Sequence, residues 1–502
     1  MKTLEELALL VQNTKIIGNP ETKIMSIEHD SRKVSQDSLF VCFTGAHFDG
    51  HNFIEQAVNN GSSAILTTRT DIENLNLPDN LAVLIVPDML TSLAVIVPYF
   101  YDYPARKMRV IGVTGTNGKT TTTYMIRSIL INAGYHVGLI GTIQIMIDNE
   151  IFPIHNTTPN VIDLQHILIK MLSHHVDYLV MEVSSHALAE NRVAGIEFDT
   201  AIFTNLTQDH LDFHKTMEDY LRAKCKLFDA VSRSGQKDNK TAIINIDDEA
   251  SNEIINHSLC NRITYGIRNE SDLHAVEVDV RADGTKFKIR SQFGVMNLNL
   301  HVTGIFNVYN VLAAVGATLA EKISPDVICQ TLSHFKSVPG RFERVYANVP
   351  FSVIVDYAHT PDGVENVIET ARQIVKNRVI TVFGCGGDRD KTKRPIMGRL
   401  AAELSDIVIA TSDNPRTEDP LEILKEVEVG IKEKIGDKSY ECIADRHNAI
   451  FHAIAIAKAG DIILILGKGH ENYQILKDRT IHFDDREVAR EAISQRLSSN
   501  HQ

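Results

Sequence analysis

The sequence predicts an α/β protein of three domains built on mainly parallel sheets, and three observations carry that expectation. Short runs rich in Val, Ile and Leu alternate with longer stretches of helical period along most of the chain, which is the pattern of βα units. The runs are apolar throughout, as strands covered on both faces require. At 502 residues the chain is longer than one core covers, and about 100 to 200 residues per domain gives roughly three.

In order, the opening MKTLEELALLVQNTK reads as an amphipathic helix; Glu5 and Glu6 come too early, and a long apolar core is missing, for a secretory signal. Runs at 38–43, 63–67 and 81–86 predict strands of a small first domain. YDYPARKM (101–108), with its proline and mixed charge, reads as a linker. Buried strands follow at 109–114, 177–183, 200–205 and 241–246. Val276, Val278 and Val280 then alternate with polar residues, and a turn at 282–285 leads into KFKIR, which predicts an antiparallel hairpin appended to the parallel sheet. KSVPGRFE (336–343) marks the next boundary, and runs beginning at 351, 378, 406 and 462 supply the strands of a Rossmann-like last domain. The expected domains are residues 1–103, a central P-loop domain at 104–336, and 337–502.

Composition excludes several classes. A 43% hydrophobic and 23% charged content argues against disordered and fibrous chains. The net charge of -13, from 64 acidic and 51 basic residues, argues against a chain devoted to nucleic acid. Apolar stretches such as 90–101 and 462–466 fall short of the roughly 20 residues that cross a membrane. Six scattered cysteines without CxxC spacing point to a reducing cytoplasm, with neither a zinc site nor a disulfide framework.

RVIGVT leads into GTNGKTTTT and then a helical stretch, the strand, loop and helix context of a phosphate-binding loop. Glycines let backbone N–H groups wrap a phosphate, and the helix N-terminus adds its dipole. Lys119 is placed to contact the β and γ phosphates of ATP, and Thr120 to put its hydroxyl on Mg2+. The loop departs from G-x-x-x-x-G-K-[ST], because Val113 stands five before Gly118 and the glycines are Gly112 and Gly115.

TGTNGKTTTT, NTTP (156–159), EVSSH (182–186), TNLTQDHLDFH (204–214), GIFNVYN (304–310), PGRFE (339–343) and DYAHTP (356–361) follow one another in the order seen in the Mur ligases of peptidoglycan synthesis, which the chain resembles over most of its length. HDSRKV (29–34), GDRDKTKRP, SDNPRTEDP and GKGHE resemble the branch that extends UDP-N-acetylmuramoyl-L-alanyl-D-glutamate. The resemblance implies a cytoplasmic, ATP-driven amide ligase, a monomer without nucleic-acid or membrane partners, whose first domain binds the UDP-sugar and whose last binds the amino acid. It implies ATP contacts at Gly115, Thr116, Asn117, Gly118, Lys119, Thr120, Thr121, Asn307, Arg341 and Asp356, with His359 nearby. Lys119, Glu182, His210 and Lys224 are its catalytic residues; Thr120, Glu182, His210 and Lys224 hold Mg2+, the lysine as a carbamate. Lys224 is preferred to Lys226 from its offset to Tyr220 and Ala223.

Ser31, Asn156, Thr157, Thr158, Ser184 and Arg192 match the family's UDP-sugar positions, whereas Glu190, where the family often has Gln, is left out. For the incoming amino acid the resemblance implies Arg389, Asp413, Asn414, Pro415, Arg416, Gly467 and Glu471. DNPR resembles enzymes that add meso-diaminopimelate, and a guanidinium holds that acceptor's second carboxylate while repelling the distal ammonium of lysine.

Plainer readings stand beside these. Without their neighbours, His210 is a polar loop or helix cap, Lys224 a surface lysine, Asn307 a helix cap, and NTTP and DNPR ordinary turns. A lysine-adding counterpart, a folylpolyglutamate synthase and a non-catalytic nucleotide switch remain as rival functions.

Overall fold

The computed structural model describes every residue except 45–48, 75, 76, 79, 155, 234, 282, 293, 346 and 500–502. Contacts divide the chain into two compact units. One is Met1–Gly112 with Tyr135–Asp199 and Arg233–Lys240; the other is Val113–Gly134 with Thr200–Ser232 and Thr241–Gln502.

In the first unit, a sheet runs Lys15–Ile17, Ala82–Ile85, Ser62–Thr67, Ser38–Val41, Ser26–Glu28, antiparallel at its first pair and parallel elsewhere. Its strands are buried on both faces: Leu39, Val41, Leu66 and Leu84 pack toward one core and Phe40, Ile65 and Val83 toward another, which is why these runs do not alternate with polar residues. The opening segment departs from expectation. It is helical only over Leu4–Ala8, where Thr3 and Glu6 form a capping box. Asn13, at φ 59°, then turns the chain into Lys15–Ile17, and Leu9 is left 81% exposed. Strand pairing overrides the helical pattern there. YDYPARKM is also not an open tether, since Pro104, Ala105 and Met108 are buried and the Tyr101 hydroxyl lies 2.6 Å from His166 Nε2. Further along, Val137–Ile140 pairs in parallel with Tyr178–Glu182 and antiparallel with Ile145–Ile147.

In the second unit, Thr200–Phe203, Thr241–Asn245, Asn261–Gly266 and Leu273–Arg281 pair in parallel, and Leu273–Arg281, Gly284–Ser291 and Gly294–Leu300 form the expected antiparallel appendage. The last sheet runs Glu343–Val345, Ser352–Asp356, Ile462–Leu466, Val379–Phe383, Ile407–Ala410, Ser439–Cys442, again parallel except at its first pair. Ile462, Leu464 and Leu466 face helices Pro361–Ile374, Lys393–Leu404 and Pro420–Lys434, while Ile463 and Ile465 face Arg446–Ile456 and Asp485–Ser499. DYAHTP, GDRD, DNPR and GKGHE all follow the carboxyl ends of parallel strands of this sheet, the edge at which open α/β sheets bind ligands.

Candidate active site

The phosphate loop joins the strand Arg109–Thr114 to the helix Lys119–Asn132. Gly115 and Gly118 adopt φ 148° and 86°, and a Cβ on them would lie 1.8 Å from Thr204 Oγ1 and 2.4 Å from Asn310 Oδ1. Both positions thus need glycine for space, and Gly118 also for conformation. The loop is held in shape from behind: Thr116 N donates to Asn205 O (2.9 Å), Asn117 N to Asn205 Oδ1 (2.8 Å), and Thr204 Oγ1 to Asn117 O (2.6 Å). Lys119 Nζ curls over the loop onto Gly115 O (2.9 Å) and Thr116 O (2.8 Å), and Thr121 is buried in the first helical turn.

Arg341 reaches this loop from the start of the last sheet, with Nη2 3.0 Å from the buried Thr120 Oγ1 and the guanidinium 4.5 Å above the Tyr357 ring. Its Nε is buried without a hydrogen-bond partner among the described residues, a donor that suits an anion. Asp356 lies beneath, where its carboxylate accepts from Phe342 N (2.6 Å) and Ala358 N (2.7 Å), so it anchors the segment that carries Arg341. Burial pushes its carboxyl up, against the pull of Arg341. Asn307 does not cap its helix. Gly304 occupies that position, and Asn307 sits buried in the first turn with Nδ2 donating to Thr303 O (2.8 Å).

Asp209 gathers a lysine and two histidines from segments far apart in this unit. Its carboxylate lies 3.4 Å from Lys393 Nζ, 3.3 Å from His210 Nε2 and 3.9 Å from His359 Nε2. Burial pushes this carboxyl up, but Lys393, His210 and His359 outweigh it and hold it well below the ordinary carboxylate range. Burial, reinforced by the Lys393 charge, lowers His359 to about 4, so its imidazole is neutral near pH 7. His210 itself stands at φ 57° before the short helix Leu211–His214.

Lys224 is not the surface lysine its helix pattern allows. It is 1% exposed, with Nζ 4.1 Å above the Tyr220 ring, whereas Lys226 two residues on is exposed. Burial, then the Lys119 charge, lower its pKa well below 10.5 and favour the neutral, nucleophilic amine.

The loops after the last sheet's strands form a second cluster. Arg416, at φ 52°, donates through Nη1 to Gly387 O (2.7 Å), and burial, then Arg389, lower its pKa. Asn414 Nδ2 donates to Glu471 Oε2 (2.9 Å) and Asn414 Oδ1 accepts from Ile475 N (2.9 Å). Pro415 O approaches so closely that a Cβ on Gly387 would lie 1.9 Å away, and a Cβ on Gly467 would lie 2.4 Å from Asp413 Oδ2. Arg389 Nη1 donates to Asp388 O, and the buried Arg394 bridges Glu418 and Glu426, fixing GDRD against the loop that follows DNPR. The structure thus gathers all seven predicted acceptor residues at one end of the sheet.

The first unit carries the remaining predicted residues. Glu182 is fully buried at the end of its strand and accepts from Thr142 N (2.8 Å) and Thr142 Oγ1 (3.0 Å). Thr157 Oγ1 lies 3.1 Å from Thr142 Oγ1, and Thr158 Oγ1 donates to Glu182 O (2.8 Å) and accepts from Ser184 N (3.1 Å), so NTTP is tied to the strand end and is more than a turn. Arg192 donates to Thr158 O (3.1 Å) and pairs with Glu190 at 2.6 Å, so the acidic residue left out of the site holds the arginine within it. Ser31 donates to Gln56 Oε1 (2.7 Å), and Asn156 is exposed. Thr142, Asp209 and Lys393 escaped sequence reasoning: Asp209 and Lys393 lie inside quoted motifs, but their pairing joins segments far apart in sequence, and Thr142 lies outside any motif.

Among the described residues no group of three or more His, Cys, Asp or Glu is arranged to hold a metal ion. Oxygen donors suit Mg2+: within the second unit the Thr120 hydroxyl is one and Lys224 becomes one only if its amine gains a carboxylate, for which a buried neutral amine is the right nucleophile, while in the first unit the Glu182 carboxylate is of the same kind.

Three family models match the chain in succession: Mur ligase family, catalytic domain, at residues 23–100; Mur ligase middle domain at 113–318; and Mur ligase, glutamate ligase domain, at 340–469. The UDP-N-acetylmuramoyl-L-alanyl-D-glutamate--2,6-diaminopimelate ligase of Clostridium botulinum is 46% identical over 481 residues, 95% of this chain and 97% of that one. The enzyme of the same name from Bacillus cereus is 46% identical over 498 residues, 99% of each chain. A solved structure of a ligase of that name matches with TM-score 0.67 at 30% identity, covering 99% of both chains. The chain belongs to the Mur ligase family.

Proposed function

We propose that the chain is the ligase that joins meso-diaminopimelate to UDP-N-acetylmuramoyl-L-alanyl-D-glutamate at the expense of ATP, in the cytoplasm and as a monomer without membrane or nucleic-acid partners. The observation that carries this reading is one unit that holds a glycine-walled phosphate loop, reached by Arg341, together with a DNPR and GKGHE cluster at the carboxyl ends of its last sheet. In this reading residues 1–103 bind the UDP-sugar, 104–336 bind ATP and 337–502 bind the acceptor.

The substrate's terminal carboxylate attacks the γ-phosphorus, ADP leaves, and the acyl phosphate that forms is attacked by the acceptor's amine to give a tetrahedral intermediate, which expels inorganic phosphate. Lys119 and Arg341 offset the charge that builds on the phosphoryl oxygens, and the backbone N–H groups of Gly115 to Thr121 hold the phosphates. Thr120, Glu182, His210 and carbamylated Lys224 would hold Mg2+, which would supply further charge neutralisation when bound. Ser31, Asn156, Thr157, Thr158, Ser184 and Arg192 orient the UDP-sugar. Arg389, Asp413, Asn414, Pro415 and Gly467 shape the acceptor site, where Arg416 takes the distal carboxylate and Glu471 the distal ammonium.

The test is phosphate release by the purified protein with ATP, Mg2+ and the UDP-dipeptide, comparing meso-diaminopimelate with L-lysine. Release that depends on diaminopimelate is expected. Equal release with lysine would overturn the role given to Arg416, and no release with either acceptor would sink the ligase reading.

A further inference from the structure

Lys468 lies in the middle of the acceptor cluster, yet no solvent reaches it. The residue is 0% exposed, and its Nζ lies 3.1 Å from Asn414 Oδ1, 3.0 Å from Glu471 Oε2 and 3.9 Å from Asp413 Oδ1. A buried ammonium is costly unless it is paired and hydrogen-bonded, and among the described residues its hydrogen-bond and ion-pair partners are acceptor-site residues. The contacts close on themselves, since Asn414 Nδ2 donates to the same Glu471 Oε2 at 2.9 Å. Asn414 Oδ1 accepts from both Lys468 Nζ and Ile475 N, so a flipped amide would set its NH2 group against two donors. Lys468 therefore fixes which atoms of Asn414 and Glu471 the acceptor meets.

Its charge matters as well as its bonds. Lys468 and Arg416 are set against Asp413 and Glu471, Arg389 and Asp388 lie beside Arg416, and Arg446 with its partner Asp485 backs the two carboxylates, so the cluster is close to charge balance and suits an acceptor whose distal end brings a carboxylate along with its ammonium. Without Lys468 the cluster turns net negative, and a distal end with only an ammonium gains relative to one that also has a carboxylate.

We propose that Lys468 is a positioning residue that sets acceptor selectivity, holding Glu471 and Asn414 in place and biasing the site toward a zwitterionic distal end. The proposal rests on the acceptor site assigned above.

The test compares the full-length protein with its Lys468→Met and Lys468→Gln variants, the second keeping a neutral donor. Steady-state kcat and KM are measured for meso-diaminopimelate and for L-lysine at saturating ATP and UDP-dipeptide. A positioning role predicts that KM for diaminopimelate rises about tenfold or more and that the ratio of kcat/KM for diaminopimelate over lysine falls about tenfold, while KM for ATP stays within about twofold. Equal losses for both acceptors, leaving the ratio unchanged, would overturn it and make Lys468 merely structural. Failure of both variants to give a cooperative melt would overturn it in the same sense. A wild-type enzyme that does not distinguish the two acceptors would instead remove the acceptor-site assignment itself.

Discussion

Arg446 and Asp485 form an ion pair from which solvent is fully excluded, both side chains being 0% exposed, with Nε to Oδ1 at 2.7 Å and Nη2 to Oδ2 at 2.6 Å. The same guanidinium donates to Leu466 O (3.0 Å) and Ser412 O (3.5 Å), the residues just before GKGHE and DNPR. It therefore couples the stability of the last sheet to the position of both loops assigned to the acceptor. Asp485→Asn leaves a buried guanidinium without its counter-ion, and breaking such a pair from one side costs about 3–5 kcal/mol. At roughly 2–4 °C per kcal/mol for a domain of about 150 residues, melting should fall by ~6–20 °C. Arg446→Met should cost about as much, for the mirrored reason. The double variant Arg446→Met/Asp485→Leu removes both charges, so melting should recover most of the loss, yet Leu466 O and Ser412 O lose their donor and KM for the acceptor should stay raised. Differential scanning calorimetry with acceptor kinetics on the three variants checks both halves. A double variant that melts as low as the single ones, or that binds the acceptor as the wild type does, would refute the coupling.

Lys119→Ala should lower ATP turnover by about 10²–10³-fold, as losing a group that stabilises transition-state charge does, with the melting temperature unchanged; unchanged turnover would remove Lys119 from the phosphate site. Lys224→Ala should lose most activity and regain part of it with added formate or acetate, and a fully active variant in a phosphate-release assay would refute the carbamate assignment. Arg416→Lys keeps the charge but loses the bidentate fork, so kcat/KM for meso-diaminopimelate should fall about 10–100-fold while that for L-lysine does not. Burial, against the pull of Lys33 and His29, raises Glu28 to about 7. The folded state then keeps a proton that the unfolded chain has lost, so stability drains away as pH rises from about 4.5 to 7. Glu28→Gln should melt with the wild type at pH 4 and above it at pH 8, by up to ~3 kcal/mol; a constant difference across that range would refute the assignment.

How much of this was legible beforehand differs from element to element. Ile462–Leu466 and Tyr178–Glu182 were readable as buried strands because burial on both faces leaves an unbroken apolar run, and the hairpin around Gly284 because its strands alternate. The opening helix was overread, because a 3.6-residue pattern extends past Ala8 although the chain leaves the helix to pair Lys15–Ile17 with Ala82–Ile85. Motif order carried the family resemblance, since short contiguous motifs are readable in the chain even where, as at Gly115 and Gly118, the space they need is set by distant Thr204 and Asn310.

The sequence by itself determined the class of fold and the strand, loop and helix order around Gly115 and Gly118, because each is encoded in period, spacing or a short contiguous motif; the residues assigned to the acceptor came from the family resemblance. Only the tertiary structure decided that Lys224 is buried while Lys226 is not, that Asp209 collects Lys393, His210 and His359, and that Lys468 is closed in by Asn414 and Glu471. The physical reason is that burial and charge pairing depend on which distant segments pack together. A lysine's amine is an exposed cation or a hidden nucleophile according to neighbours supplied from elsewhere in the chain.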